Sequence, residues 1–116
     1  MEPETKPIVH LCLRAQWEAA QATGEYRTSS LEEVGFIHCS RPEQILGVAN
    51  SYFQKTDNLA LLWINPPRVE SEIRWEVSDG QVFPHIYGPL NLAAVLAVSE
   101  LSPDVDGIFR MISAPK

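Results

Sequence analysis

The sequence predicts an α+β fold built on a mixed, mostly antiparallel sheet of five to six strands with about two helices. Three observations predict it. Strand-like stretches outnumber helical ones and do not alternate with them, which argues against a parallel βαβ architecture. Two stretches, 14–23 and 42–54, carry helical residue types or helical spacing. The chain has 116 residues, enough for one domain with one core. That domain is expected to have its core over 8–101 and irregular tails over 1–7 and 102–116.

The elements follow in order. Ile8 to Leu13 reads as a strand with His10 and Cys12 on one face and Val9, Leu11 and Leu13 on the other. Arg14 to Thr23 is rich in Ala, Gln and Glu, and Gly24 can end it as a left-handed cap. Ser29 to Glu33 offers one short turn, stopped by Gly35. Phe36 to Ser40 alternates again, placing Phe36, His38 and Ser40 together and Ile37 and Cys39 opposite.

Ser40, Pro42 and Glu43 match a capping box, so Ser40 is expected to cap a helix over 42–54. Ile45, Ala49, Tyr52 and Phe53 should be its core face. Leu59 to Asn65 is a continuous apolar run, a central strand ended by Pro66-Pro67. Ile73 to Val77 alternates, with Arg74 and Glu76 on one face. Ser78-Asp79-Gly80 is a turn. Val82 to Gly88 is extended, and Pro84 and Pro89 predict an irregular or edge segment. Leu90 to Ala93 is expected to make a helical turn, and Ala94 to Leu101 the last strand.

Composition bounds the function. The formal net charge of −6 argues against a dedicated nucleic-acid binder. No apolar run approaches the roughly 20 residues of a membrane span, and the acidic, Pro-punctuated start does not read as a signal peptide. Cys12 and Cys39 lack metal-ligand spacing, and buried thiols in a reducing cytoplasm are the expected state, with a disulfide conceivable were their strands neighbours.

The three histidines, His10, His38 and His85, all fall in strand-like segments. Convergence on one pocket would give a ligand imidazole groups able to donate, accept or carry charge near neutral pH. Close His-x-His spacing is absent, so no metal is expected. His38 and Cys39 point to opposite faces and cannot form a catalytic pair. Glu76 is a carboxylate inside a strand, either paired with Arg74 on a solvated face or placed at the pocket.

Gly35-Phe36-Ile37-His38-Cys39-Ser40, Trp75-Glu76 and Phe83-Pro84-His85-Ile86-Tyr87-Gly88-Pro89, after Val9-His10-Leu11 and Trp17, resemble the DUF952 family of small, mostly bacterial proteins. That family is similar to the ADP-ribosyltransferase-like fold. The resemblance implies NAD or a related nucleotide as ligand. It implies His10 on the ribose and Tyr87 stacked on nicotinamide, with His38, Glu76 or His85 in the polar catalytic position. It departs from the larger group in having no convincing Glu-x-Glu; histidines would replace the standard set, as in the branch that removes a 2′-phosphate from RNA. The pyrophosphate would rest on the helix after Ser40, beside Arg41. A non-catalytic module for a small metabolite is the alternative use of the same pocket.

Overall fold

The computed structural model describes residues 6–112. Its first strand, β1 (Ile8–Leu13), runs into helix α1 (Arg14–Thr23). Leu13 supplies no cap; instead its N–H donates to the Gln16 side chain at 2.9 Å. Gly24 closes the helix at φ 94°, as its lack of a Cβ permits. A two-residue strand β2 (Glu25–Tyr26), helix α2 (Ser30–Glu33) and strand β3 (Ile37–His38) follow.

A 3₁₀ turn (Pro42–Gln44) leads into α3 (Ile45–Tyr52). The remaining strands are β4 (Leu59–Ile64), β5 (Glu72–Ser78), β6 (Gln81–Tyr87), β7 (Leu90–Asn91) and β8 (Val95–Leu101). Among the described residues, then, there are eight strands and three α-helices, and every strand pairing is antiparallel. The count exceeds the expected five or six because β2 and β7 pair with each other over two residues each, too few to show a period.

The sheets run β1-β4-β8 and β3-β6-β5. One antiparallel bridge joins them: Val9 and Ser40 exchange N–H···O bonds of 2.8 Å in both directions. The fully buried β4 is the spine, as its unbroken apolar run predicts. Its alternate residues divide the core. Ala60, Leu62 and Ile64 pack with Ile8, Cys12, Tyr26, Ile37 and Ile86; Leu59, Leu61 and Trp63 pack with Val9, Leu11, Ile45, Ala49 and Phe109 under α3. Cys12 and Cys39 are free thiols in the first of these layers.

Four expectations are corrected. Ser40 does not cap the helix: its backbone is taken by Val9, and the Gln44 side chain accepts the Arg41 N–H at 2.8 Å instead. Tyr52 faces solvent at 73 % exposure, while Ile45 and Ala49 are buried. β6 is a central strand despite Pro84. The Pro84 carbonyl accepts the Cys39 N–H at 3.2 Å, so its nitrogen also faces β3, which has ended there, and no ladder bond is lost. The core does not stop at 101: within the described residues 102–112, Phe109 is buried at 2 % exposure, while the expected tails over 1–5 and 113–116 lie outside the described residues.

Asn50 on α3 holds Phe109 in place. Its Nδ2 donates to the Phe109 carbonyl at 2.9 Å and its Oδ1 accepts the Phe109 N–H at 2.8 Å. Asn50→Ala should cost about 2 kcal/mol, because it leaves two backbone groups beside a buried ring unpaired. Urea titration checks the loss, and protease cleavage near Phe109 should quicken with it.

Candidate functional site

The site sits where β1 and β3 part. Val9 and Ser40 form a hydrogen-bonded antiparallel pair, so the ladder would next join Leu11 to His38. It does not. The His38 carbonyl instead accepts His10 Nδ1–H at 2.5 Å, the imidazole taking the place of a backbone donor. The other ring nitrogen, Nε2, accepts the Tyr26 O–H at 2.7 Å. The same alternation turns the Leu11 and His38 backbone N–H groups into the gap.

That gap is part of a cavity of about 510 Å³. Its walls include Leu11, Ser40, Ile45, Val48, Phe53 and Phe83, with His10, His38 and His85 among them. Thr28, Ser29 and Ser30 add hydroxyls on one side, and Asp79 stands at another. Among the described residues, no Lys or Arg lines it.

His38 and His85 are direct cross-strand partners on β3 and β6, their ring centroids 5.6 Å apart. Phe36 packs flat on His85, with centroids 4.0 Å apart and planes at 19°. It also meets His38 edge-on at 4.8 Å. On the outer side, Glu76 Oε1 accepts both His85 Nδ1–H and the Tyr87 O–H, each at 2.7 Å. With Nδ1 committed to the carboxylate, neutral His85 carries its lone pair on Nε2, which has no partner among the described residues. Arg74 lies over the Tyr87 ring at 4.3 Å and pairs with Glu72 at 3.1 Å, not with Glu76.

The electrostatics follow from these contacts. Burial pushes His10 down to about 4, so it is neutral at physiological pH. His38 is also lowered, by desolvation first and then by repulsion from His85. The Tyr87 and His85 hydrogen bonds hold Glu76 below the usual carboxylate range, and the same bond raises Tyr87. Burial raises the Tyr26 hydroxyl and the Cys12 and Cys39 thiols, leaving all three protonated.

The seven expected site residues therefore divide. His10, His38, Ser40 and His85 line the cavity. Glu76 and Tyr87 stand behind His85 and reach the cavity through it. Arg41 is elsewhere: it pairs with Glu43 at 3.1 Å and lines a separate hollow of about 500 Å³ with Lys6 and Trp75. The fold does not bring it to the cavity with the others, since alternation after Ser40 turns it to the other side. Two contributors escaped the sequence reading. Tyr26 lies in a strand too short to announce itself, while Phe36 was visible on the His38 face without any sign that it would stack.

His38→Ala should change stability by no more than about 0.5 kcal/mol, because its ring is exposed and its carbonyl, not its side chain, receives His10. A urea midpoint displaced well beyond that would show a structural role for the ring.

The family model described as a protein of unknown function, DUF952, matches residues 11–98. The crystal structure of protein CC0527 from Caulobacter crescentus is similar, with 34 % identity over 90 % of this chain and 94 % of that one and a TM-score of 0.83. The solution NMR structure of CC0527 is similar at a TM-score of 0.77, covering 91 % of that chain. No curated protein matches. Among the described residues, no three His, Cys, Asp or Glu side chains converge as a metal site, and no helix is long and apolar enough to cross a membrane.

Proposed function

From the premise that this chain belongs to the DUF952 family, described only as of unknown function, we propose that it binds a nucleoside-sized metabolite and that His85 acts on that metabolite as a general base. The observation that carries this is the Glu76–His85 pair at 2.7 Å, which directs the basic Nε2 of a cavity-lining imidazole away from the carboxylate. A carboxylate on Nδ1 sets the tautomer and stabilises the imidazolium formed when Nε2 takes a proton. Tyr87 completes the support by sharing the same carboxylate oxygen.

The volume of about 510 Å³ lies in the range of small-molecule sites. Mostly apolar walls suit a planar ring. Ser40, Thr28 and the Leu11 and His38 backbone N–H groups that alternation turns into the gap suit its hydroxyls or carbonyls. His10, with both nitrogens engaged, is assigned a positioning role: it keeps the gap open.

NAD enters the reading through the resemblance to the ADP-ribosyltransferase-like fold, which is a fold-level analogy. With no Lys or Arg among the described residues on the cavity wall, a pyrophosphate would lack a partner there, so the nicotinamide riboside half is the better fit. In transfer from such a nucleoside, His85 would take the proton of the attacking hydroxyl or water. The new bond would form at the anomeric carbon, and nicotinamide would leave neutral with the electron pair of the broken C–N bond.

The test is a titration with nicotinamide riboside, adenosine and NAD, followed by nitrogen NMR of the histidine rings and by chromatography of products. Binding should move His85 Nε2 and the His38 ring. Glu76→Gln should weaken it about tenfold by loosening the tautomer. Release of nicotinamide by wild type but not by His85→Asn supports the enzyme; binding with no turnover of any probe leaves a non-catalytic module. Still rings at millimolar concentrations of all three would sink the proposal.

A further inference from the structure

Among the described residues, strand β5 ends its sheet with one edge unpaired, since the order is β3-β6-β5. It has seven residues, no proline and no register shift against β6. Such an edge invites another strand unless charge, proline or a bulge guards it. One face of β5 is apolar and outward at its far end: Trp75 is 39 % exposed and Val77 76 %. The other carries Glu72, Arg74 and Glu76.

We propose that β5 pairs with β5 of a second copy, antiparallel about a two-fold axis through Trp75, to make a dimer with a continuous sheet. The argument is charge complementarity. In the Trp75-centred register, Arg74 stands opposite Glu76 of the second copy, twice over, Ile73 opposite Val77, and Trp75 opposite itself. Shifting the axis to Arg74 sets arginine against arginine and Glu72 against Glu76; shifting it to Glu76 sets glutamate against glutamate. An axis between residues mixes charged with apolar side chains on each face. Shifting the axis to Ile73 sets Arg74 against Glu72 but also Glu76 against Glu70 and Trp75 against Ser71, so of these registers the first alone satisfies both faces. Glu76 can serve in it without leaving His85, because both internal bonds use Oε1 and leave Oε2 free. The edge of β8, also unpaired among the described residues, has no such match: its one charge, Glu100, would meet Leu96 about the central Val98. The pairing is isologous, as a closed dimer requires.

Sedimentation of the full chain between about 1 and about 200 μM should show a species of twice the chain mass of 13.0 kDa at the upper end. Arg74→Glu and Val77→Lys should each raise the dissociation constant about tenfold or more, with folding checked by NMR. Trp75→Cys should crosslink to itself under mild oxidation, because opposed Cα atoms in an antiparallel pair lie about 5 Å apart. In wild type, β5 amides should gain exchange protection with concentration. A monomer across the whole range overturns the proposal. So does a dimer that survives both variants, or one whose β5 amides gain no protection.

Discussion

Acidification from pH 7 to pH 4 will remove about 3 kcal/mol of stability through His10 alone. The ring is buried at 7 % exposure between the His38 carbonyl and the Tyr26 hydroxyl. Neutral imidazole suits that setting: Nδ1–H donates and Nε2 accepts. A second proton on Nε2 would confront the Tyr26 hydroxyl with a donor and bury a charge. The unfolded chain takes up this proton near 6.5, while the folded one resists it to about 4. Between those values the unfolded state binds more protons, so stability falls as pH falls through the window. Below about 4 both states are protonated and this group costs nothing further. Urea titrations at intervals across the window give the curve. His10→Phe should be less stable at pH 7, having orphaned the carbonyl and hydroxyl, and its curve should be flatter between 6.5 and 4. An equally steep curve in that variant would assign the acid sensitivity to carboxylates instead.

Leu62→Ala should cost about 3 kcal/mol with no change in surface chemistry. Leu62 is fully buried at the middle of β4, across from His10 on β1 and Val98 on β8. Its side chain lies in the layer shared with Tyr26, Ile37 and Ile86. Shortening it removes apolar burial and leaves a void between two sheets whose backbones are tied by ladders on both sides, so the walls cannot collapse inward. Calorimetry gives the loss. Because the same layer supports Tyr26, the His10 Nε2 NMR signal should broaden in this variant. A loss under about 1 kcal/mol would mean that the layer repacks freely.

How much of this was legible in the sequence depends on the reach of each signal. The strand Ile8–Leu13, the helix Arg14–Thr23 and its glycine cap, and the buried run from Leu59 rest on residue types and periods within one segment. Alternation also put Phe36 and His38 on one face, where their rings meet, and Ile37 and Cys39 on the other, where they join the core. The Ser40 cap failed although its local pattern was good, because the Val9 backbone, thirty-odd residues away, claims both of the Ser40 main-chain groups. Pro84 misled for a related reason: a proline harms a central strand only where a neighbour needs its N–H, and β3 is too short to need it.

The site shows the same division. Three strand histidines suggested a pocket, and all three line one cavity. Their duties differ in ways no spacing encodes. His10 ties off a backbone carbonyl, His38 stands exposed at the wall, and His85 is held by a glutamate nine residues before it, across a hairpin. The hairpin register that sets Arg74 against His85, and so Glu76 two residues beyond, is what brings this carboxylate to the ring instead of to Arg74.

The order of chemical types along this chain by itself determined an α+β domain on a mostly antiparallel sheet, with its charged and apolar faces already sorted, since side-chain alternation and helical period are local properties of the backbone. Only the tertiary structure decided that β1 and β3 share one bridge and then separate, which opens the cavity that His10, His38 and His85 line. That separation depends on which distant donor reaches the His38 carbonyl first in space, a competition between groups that lie far apart along the chain.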